Sequence, residues 1–251
     1  MTRMEPGDRQ YAIVAGSGFK SFADDARALA IDSEYGPPAG RVRELDYGDR
    51  VVYFLPRHGE AISIPAHAVN YRANMKALAQ LGTECVIALN TVGSIPATVH
   101  PGQIAVPDQI IDYTWGREHS IYGDSDQIDH IDFTKPFSTS LRNELLDAAR
   151  SAEVDVHDGG IYAVTQGPRL ETAAEVCRLE RDGAAYIGMT AMPEASLARE
   201  LGMKYACLSL VVNYAAGKGQ NPIHADIEAS TMTARMQAMK ILRCFFGAVE
   251  A

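Results

Sequence analysis

Basic charge, cysteine and long apolar runs are all scarce in this chain of 251 residues. Lys and Arg number 23 against 32 Asp and Glu, giving a net charge of −9. This balance argues against a nucleic-acid-binding protein, which usually carries a basic surface. No apolar run approaches the roughly 18 residues of a membrane span, and the polar N-terminus lacks a signal-peptide core. We therefore expect a soluble, cytoplasmic protein that binds neither nucleic acid nor membrane.

The four cysteines are far apart and form neither a C-x-x-C pair nor a cluster with zinc-ligand spacing. Their pattern predicts buried, reduced thiols. The composition is otherwise that of a globular protein, with 47% hydrophobic and 22% charged residues. No linker, repeat or low-complexity tract divides the chain. We predict one domain over residues 1–251, with residues 1–9 flexible.

Short β-branched apolar runs alternate with stretches of helical periodicity. The predicted strands are Tyr11–Ala15, Val51–Leu55, Cys85–Leu89, Ile104–Ile111, Gly160–Thr165, Ala185–Met189 and Tyr205–Val212. The predicted helices are Asn70–Leu81, Ser138–Ala152, Thr172–Arg181, Glu194–Leu201 and Ala225–Phe246. Gly82, Gly183 and Gly202 follow three of these helices, as C-terminal caps do. The alternation predicts an α/β fold, a single domain with a central mixed, partly parallel sheet flanked by helices.

The polar segment 115–136 shows no clear period and is rich in Asp, Ser, Gly and His. A loop of this length inside a compact domain is usually functional or covered by a partner. We expect one of these two roles for it.

Small, hydroxyl, amide and cationic residues recur where predicted strands end, which is where ligands bind in such sheets. The segments concerned are Gly16-Ser17-Gly18, Arg57-His58-Gly59, Asn90-Thr91-Val92-Gly93-Ser94, Met189-Thr190 and Asn213. A glycine turn presents N–H groups to an anion, and arginine offers a fork of donors suited to phosphate. Each motif alone is also typical of a turn, a helix cap or a surface residue without a binding role. Their recurrence predicts a ligand site with a local basic centre.

Seven ordered segments resemble the trimeric purine nucleoside phosphorylase and methylthioadenosine phosphorylase family. They are AGSGF (15–19), RHG (57–59), PAHAVNYRANMKALAQLG (65–82), NTVGSI (90–95), PGQIAVPDQIID (101–112), TQGPRLETAAEV (165–176) and GMTAMPEASLARELGM (188–203). The further motifs GREHS, HIDF and LVVN followed by AAGK most resemble the bacterial S-methyl-5′-thioinosine phosphorylase branch.

The resemblance implies that inorganic phosphate attacks C1′ of a purine nucleoside and releases the free base and a sugar 1-phosphate. It implies a homotrimer without metal or organic cofactor, phosphate being a co-substrate. The phosphate-binding residues that it implies are Ser17, Arg57, His58, Asn90, Thr91 and Thr190. The substrate-binding residues that it implies are Met189, Leu170, Glu171, Asn213, Tyr214, Ala215, Ala225 and His130. The resemblance further implies that Glu171, Asn213 and His58 are the catalytic residues.

The base pocket separates two substrate classes. Glu171 and Asn213 match the pair found in 6-oxopurine phosphorylases, whereas the methylthioadenosine enzymes have a small hydroxyl residue and an Asp. An Asn amide donates to O6 or N7 of hypoxanthine or guanine, and a Glu accepts the N1–H of such a base. Ala215 follows Tyr214 where adenosine-type relatives have a second carboxylate. We therefore expect 6-oxopurine substrates.

The 5′ pocket leaves alternatives open. Ala225 aligns with a His of general purine nucleoside phosphorylases and favours an apolar 5′-methylthio group; one alignment gap would instead place His224 there and favour inosine. His130 matches a position that reaches the neighbouring subunit's 5′ pocket, or is a solvent-exposed loop residue.

We expect S-methyl-5′-thioinosine to be cleaved to hypoxanthine and 5-methylthioribose 1-phosphate. The alternatives are a general inosine and guanosine phosphorylase, and a non-catalytic purine-binding module. A dehydrogenase is disfavoured because Ser21 interrupts the dinucleotide-binding glycine pattern.

Overall fold

The computed structural model describes residues 9–19, 22–47, 50–122, 129–220, 222–224 and 227–247. Its strands are β1 (Tyr11–Ala15), β2 (Arg27–Leu29), β3 (Val42–Tyr47), β4 (Arg50–Pro56), β5 (Cys85–Ser94), β6 (Ile104–Val106), β7 (Gln109–Asp112), β8 (Val156–Asp158), β9 (Ile161–Val164), β10 (Ala184–Gly188) and β11 (Lys204–Tyr214). Its helices are α1 (Tyr71–Gln80), α2 (Thr139–Ser151), α3 (Ala173–Arg181), α4 (Ala191–Glu200) and α5 (Ile227–Phe246).

All the strands belong to one mixed sheet that branches at β5. The main order is β2-β3-β4-β1-β5-β10-β9-β7, and β11 pairs with both β5 and β6, which in turn pairs with β8. The pairs β1–β4, β1–β5, β5–β11 and β9–β10 are parallel, whereas β5–β10 and β6–β11 are antiparallel. The predicted fold class, a mixed and partly parallel sheet flanked by helices, is confirmed.

One edge of β5 changes its partner part-way along the strand. It pairs with β1 as far as Leu89 and with the antiparallel β10 from Gly93 onward. Because β1 runs with β5 and β10 runs against it, the carboxyl ends of both strands point toward residues 90–92 of β5. This arrangement opens a gap at the middle of the sheet.

Helices cover both faces of the sheet, and every residue of β1 is therefore buried. Tyr11 and Ile13 of β1 pack in one apolar cluster with α2 and α5, whereas Ala12 and Val14 pack in another with α1 and α4. This alternation is the two-residue period of a strand. The gap at β5 is therefore held between two packed layers.

The structure corrects several predicted boundaries. The predicted strand 104–111 is two strands, because the segment between them contains Pro107, which has no N–H to donate to a sheet. Residues Asn90–Ser94 continue β5 instead of forming a turn after it, since β11 pairs along their whole length. The short strands β2, β3 and β8 are absent from the prediction.

Glycine residues follow the carboxyl ends of three helices, and a capping box begins one of them. Gly82, Gly183 and Gly202 have positive φ angles just past their helices, which confirms the predicted caps. Thr172 caps α3 in a reciprocal pair of hydrogen bonds with Glu175. Glu171 therefore lies immediately before the N-cap of α3.

The cysteine prediction is half right. Cys85 and Cys207 are buried, but Cys177 and Cys244 are exposed, and all four are free thiols. Within the described ranges, no helix is both long and apolar enough to cross a bilayer. The same residues contain no group of three His, Cys, Asp or Glu side chains arranged to hold a metal ion.

Candidate active site

A cavity of about 490 Å³ occupies the gap where β1 and β10 meet over β5. Its size is within the range of small-molecule sites. Ten residues assigned from the sequence line it: Ser17, Arg57, His58, Thr91, Leu170, Glu171, Met189, Thr190, Asn213 and Ala215. The fold thus brings together segments that are up to about two hundred residues apart in the chain.

The other four assigned residues lie elsewhere. Asn90 is buried behind the cavity, against Thr190. Tyr214 lines a neighbouring cavity, where its hydroxyl bonds His100 Nδ1 at 2.6 Å. His130 is exposed and is not part of the cavity wall of its own chain. Ala225 lies outside the described residues, and its alternative, His224, is exposed and does not line the cavity.

Arg57 is not the exposed cation that a local basic site suggests. It is fully buried and forms a two-pronged ion pair with Glu194, Nε–Oε2 2.6 Å and Nη2–Oε1 2.8 Å. Burial alone lowers the pKa of Arg57, but the Glu194 carboxylate outweighs burial and raises that pKa above its usual value. The guanidinium is therefore always charged, and its charge is balanced inside the protein.

Glu194 is a functional residue that sequence reasoning missed. It lies in the first turn of α4 and is completely buried. The signal for it is a carboxylate among the small apolar residues of AMPEASLA, since a buried carboxylate requires a partner. The Tyr205 hydroxyl also donates to Glu194 at 2.8 Å, and burial raises the pKa of that phenol well above its usual value.

Arg57 retains one N–H for the cavity. Of its five N–H donors, two bind Glu194, one binds the Val14 carbonyl and one binds the Leu89 carbonyl. The remaining hydrogen is on Nη1, which would lie 3.3 Å from a Cβ at Gly16. Because Gly16 has no side chain, no atom of residue 16 beyond its backbone separates Nη1 from the cavity.

His58 presents an acceptor to the same place. Its Nδ1 is 2.8 Å from the Ile64 carbonyl, which only accepts, so Nδ1 carries the proton. Its Nε2 would lie 3.7 Å from a Cβ at Gly16. Burial first, and then the neighbouring Arg57 charge, lower the pKa of His58. The imidazole is therefore kept neutral, with the lone pair of Nε2 directed to the cavity.

The Thr190 hydroxyl lies in the cavity wall. The Asn90 amide donates to the Thr190 Oγ1 at 2.9 Å, and this hydroxyl makes no capping bond to α4. The hydroxyl can therefore turn its own hydrogen toward a ligand in the cavity. Tyr162 lies behind this pair, in a space that only Gly188 permits, since any Cβ there would collide with its phenol oxygen.

Two polar side chains mark the opposite end of the cavity. Glu171 Oε1 accepts a hydrogen bond from the Thr165 hydroxyl at 2.6 Å. The Asn213 amide donates to the Tyr214 carbonyl at 2.7 Å and would lie 3.1 Å from a Cβ at Gly93. Both side chains remain partly accessible. A carboxylate acceptor and an amide therefore both line the cavity, each fixed by a hydrogen bond of its own.

The sequence profile of the family described as the Phosphorylase superfamily matches residues 10–246. The chain belongs to this superfamily. Among its members, a protein named probable S-methyl-5′-thioinosine phosphorylase from Pseudomonas syringae pv. tomato is 48% identical, over 87% of this chain and 90% of its own. The 6-oxopurine nucleoside phosphorylase of Pyrococcus furiosus is 42% identical, over 86% of this chain and 84% of its own.

Solved structures of superfamily members have the same fold. Methylthioadenosine phosphorylase from Schistosoma mansoni, in complex with tubercidin, superposes with a TM-score of 0.87 and 29% identity, covering 97% of this chain and 94% of its own. A methylthioadenosine phosphorylase from an antarctic soil metagenomic library gives 0.88 and 30% identity, covering 95% and 85%.

Proposed function

We propose that this phosphorylase cleaves the N-glycosidic bond of 6-oxopurine nucleosides with phosphate, and that it prefers S-methyl-5′-thioinosine. The products are hypoxanthine and 5-methylthioribose 1-phosphate. The observation that carries the proposal is one cavity with the Arg57 donor beside Leu89 and the Asn213 amide beside Gly93, and with Glu171 also in its wall. Leu89 and Gly93 are about 13 Å apart along β5, at roughly 3.3 Å per residue. A phosphate and a purine nucleoside fit end to end over that span.

The phosphate end binds its anion through directed hydrogen bonds. Arg57 Nη1 and the Thr190 hydroxyl donate, and His58 Nε2 accepts the proton that hydrogen phosphate carries. Ser17 and the backbone at Thr91 line the same end. Because Arg57 is paired with Glu194 and His58 is neutral, these groups add little net charge. Geometry, more than charge, selects the anion.

The reaction follows from this arrangement. A phosphate oxygen forms a bond to C1′ while the bond from C1′ to the base nitrogen breaks, and the electron pair of that bond leaves with the base. Asn213 donates to O6 or N7 of the departing base, where negative charge develops, and Glu171 accepts N1–H. Holding both reactants in line supplies much of the rate enhancement.

Base selectivity follows from the same pair. An adenine-type base has no N1–H for Glu171 and would leave that partly buried carboxylate without a hydrogen to accept from the base, and its 6-amino group would oppose the Asn213 amide hydrogens. Apolar side chains of the wall, including Ile62, Ile64, Ile223 and Ile227, suit a methylthio group better than a hydroxyl. They support the methylthio preference.

A second candidate is a general phosphorylase of inosine and guanosine. The Pyrococcus furiosus relative, named for 6-oxopurine nucleosides, favours it. The two candidates share every residue of the phosphate and base ends and differ only at the 5′ group. A non-catalytic purine-binding module is disfavoured because base binding does not require the phosphate end.

We also infer a homotrimer in the cytoplasm. The Trp115 side chain is 71% exposed at a second cavity that Glu171 also lines, and Leu170, in the wall of the main cavity, is 40% exposed. Apolar surface of this kind suits burial by a neighbouring subunit. His130, exposed in its own chain, would then complete the neighbour's 5′ pocket. The free thiols suit a reducing compartment.

Incubation of the purified protein with S-methyl-5′-thioinosine, with and without phosphate, tests the activity. We expect hypoxanthine and a sugar 1-phosphate in equal amounts, and only when phosphate is present. Binding without release of base would support the purine-binding module and contradict the proposal.

Light scattering coupled to size-exclusion chromatography should give about three times the mass of one chain, and a monomer would overturn the trimer.

A further inference from the structure

Arg117 is a buried arginine at the edge of the segment 115–136 that the reaction scheme above does not use. Its exposed fraction is 9%. In the described part of the chain it forms no ion pair with a carboxylate. A buried cation of this kind requires compensation from other polar groups.

Backbone carbonyls provide that compensation. Nη1 donates to the carbonyls of Met189 at 2.8 Å and Met192 at 2.6 Å. Nη2 donates to the carbonyls of Gln166 at 2.9 Å and Thr165 at 3.3 Å. Four carbonyls from two separate segments thus converge on one guanidinium.

Tyr71 completes the environment. Its ring centroid is 5.6 Å from the Arg117 guanidinium carbon, and its hydroxyl is 3.4 Å from Nη1. The aromatic face attracts the cation, and the planar fork of arginine fixes the direction of each bond, which a lysine would not do. The guanidinium is therefore held in one orientation.

The two segments are those that carry the two ends of the cavity. Thr165, whose carbonyl binds Arg117, also donates its hydroxyl to Glu171 at the base end. Met189, bound through its carbonyl, lines the cavity and immediately precedes Thr190 at the phosphate end. The backbone joins these two segments as well, since the Thr165 N–H donates to the Gly188 carbonyl at 2.8 Å. Arg117 adds four bonds beyond the end of this β9–β10 pairing.

We propose that Arg117 is a positioning residue that fixes the base end and the phosphate end of the cavity relative to each other. It acts through the carbonyls of residues 165–166 and 189–192 and touches neither substrate. Without it, only the pairing of β9 with β10, which ends at Gly188, would hold the two segments together, and the Glu171 acceptor and the Thr190 donor would be less firmly positioned. Both substrates would then bind less well, because each depends on one of these segments. The inference rests on the proposed phosphorolysis.

Arg142 offers a matched control. It too is 9% exposed and donates to backbone carbonyls, those of Pro107 at 2.8 Å and Val106 at 3.0 Å, besides its ion pair with Asp158. It does not line the cavity. Arg142→Lys should therefore reproduce a loss of stability without a change at the site.

The test measures KM for phosphate, KM for S-methyl-5′-thioinosine and the melting temperature of the wild type, Arg117→Lys and Arg142→Lys. We expect both KM values to rise about tenfold in Arg117→Lys and to stay within about twofold of the wild type in Arg142→Lys. A lower melting temperature with both KM values unchanged would make Arg117 purely structural and overturn the proposal. A rise in only one KM, or a change in kcat alone, would equally overturn it.

Tyr71→Phe extends the test if the lysine variant does not fold. It keeps the ring and removes only the hydroxyl, so both KM values should rise about twofold to threefold; unchanged values would contradict the proposal. A wild-type protein that releases no base would overturn the proposed function itself, which separates that failure from a failure of the role of Arg117.

Discussion

The Arg57 guanidinium and the Glu194 carboxylate bind each other through two hydrogen bonds, of 2.6 and 2.8 Å, with both side chains fully buried. This pair joins β4 to the start of α4 beneath the cavity. The positive charge of Arg57 at the proposed phosphate end is therefore already neutralised by the Glu194 carboxylate. We therefore expect the proposed recognition of phosphate to depend on one remaining N–H, on hydroxyls and on a neutral imidazole.

Replacing Glu194 should leave the charge of Arg57 uncompensated and lower the stability of the protein. Glu194→Gln leaves Arg57 as a buried cation without a counter-charge, and we expect the free energy of unfolding to fall by about 3 kcal/mol. Phosphate should restore part of that loss, because a bound anion supplies the missing negative charge. Urea unfolding with and without phosphate measures both effects.

Glu144→Gln is the control for this experiment. Its carboxylate is 30% exposed and pairs with Arg9, so the loss of stability should be smaller. Phosphate should not stabilise this variant more than it stabilises the wild type. Equal stabilisation of Glu194→Gln and the wild type by phosphate would contradict the account of the ion pair.

Thr190 should contribute to phosphate binding alone. Thr190→Val keeps the shape of the side chain but removes the hydroxyl that accepts from Asn90 and faces the cavity. We expect KM for phosphate to rise about tenfold, with KM for the nucleoside nearly unchanged. Thr83→Val, a buried threonine whose hydroxyl has no partner among the described residues, should change neither value. A larger effect on the nucleoside would place Thr190 outside the phosphate site.

His58 should make stability depend on pH below neutrality. The folded state holds the pKa of His58 below 6.5, chiefly through burial, so the unfolded chain takes up the proton first as pH falls. The stability contribution of neutral His58 is therefore present above about pH 6.5 and is lost as pH falls through the folded-state pKa. Phosphate binding should weaken in the same window if Nε2 accepts a proton from the anion.

His58→Gln tests this by urea unfolding at about pH 7.5 and about pH 5.5. The variant should lose less free energy of unfolding between these two pH values than the wild type does. His67, which is exposed, supplies the control, and His67→Gln should retain the wild-type slope. An identical slope in His58→Gln and the wild type would show that His58 is not the buried, neutral group described here.

Local patterns were sufficient to predict most of the fold. The periodicity and the glycine caps place all five helices to within a few residues, and apolar runs locate the long strands. The short strands β2, β3 and β8 have only three to six residues and owe their pairing to neighbours distant in sequence. Propensity within the segment itself does not reveal them.

The site could be predicted only in part, because its chemistry depends on contacts between distant segments. The position of Arg57 and His58 after a strand predicts an anion site, and both residues line the cavity. The partner of Arg57 is 137 residues away in the chain, so neither the pairing with Glu194 nor its neutralising effect follows from local sequence. The four carbonyls around Arg117 are likewise backbone groups, which every residue has, so the amino-acid sequence does not show which residues provide them.

Asn213 should set the base preference. Asn213→Asp replaces an amide donor by a carboxylate acceptor, which suits a 6-amino group and repels O6 and N7. We expect the ratio of kcat/KM for 6-oxopurine over 6-aminopurine nucleosides to fall about 100-fold. Asn70→Asp, outside the cavity at the start of α1, should leave the ratio unchanged. An unaltered ratio in Asn213→Asp would assign base selection to another residue.

A competition assay tests the central claim most directly. S-methyl-5′-thioinosine, inosine and S-methyl-5′-thioadenosine are supplied together at equal concentration with limiting phosphate, and the remaining amount of each nucleoside is followed in time, because two of the three release the same base. Their initial rates give the ratio of the kcat/KM values. We predict that S-methyl-5′-thioinosine is consumed first, inosine more slowly and S-methyl-5′-thioadenosine by far the slowest. Faster consumption of inosine would overturn the methylthio preference, and fastest consumption of S-methyl-5′-thioadenosine would contradict the role of Glu171 and Asn213.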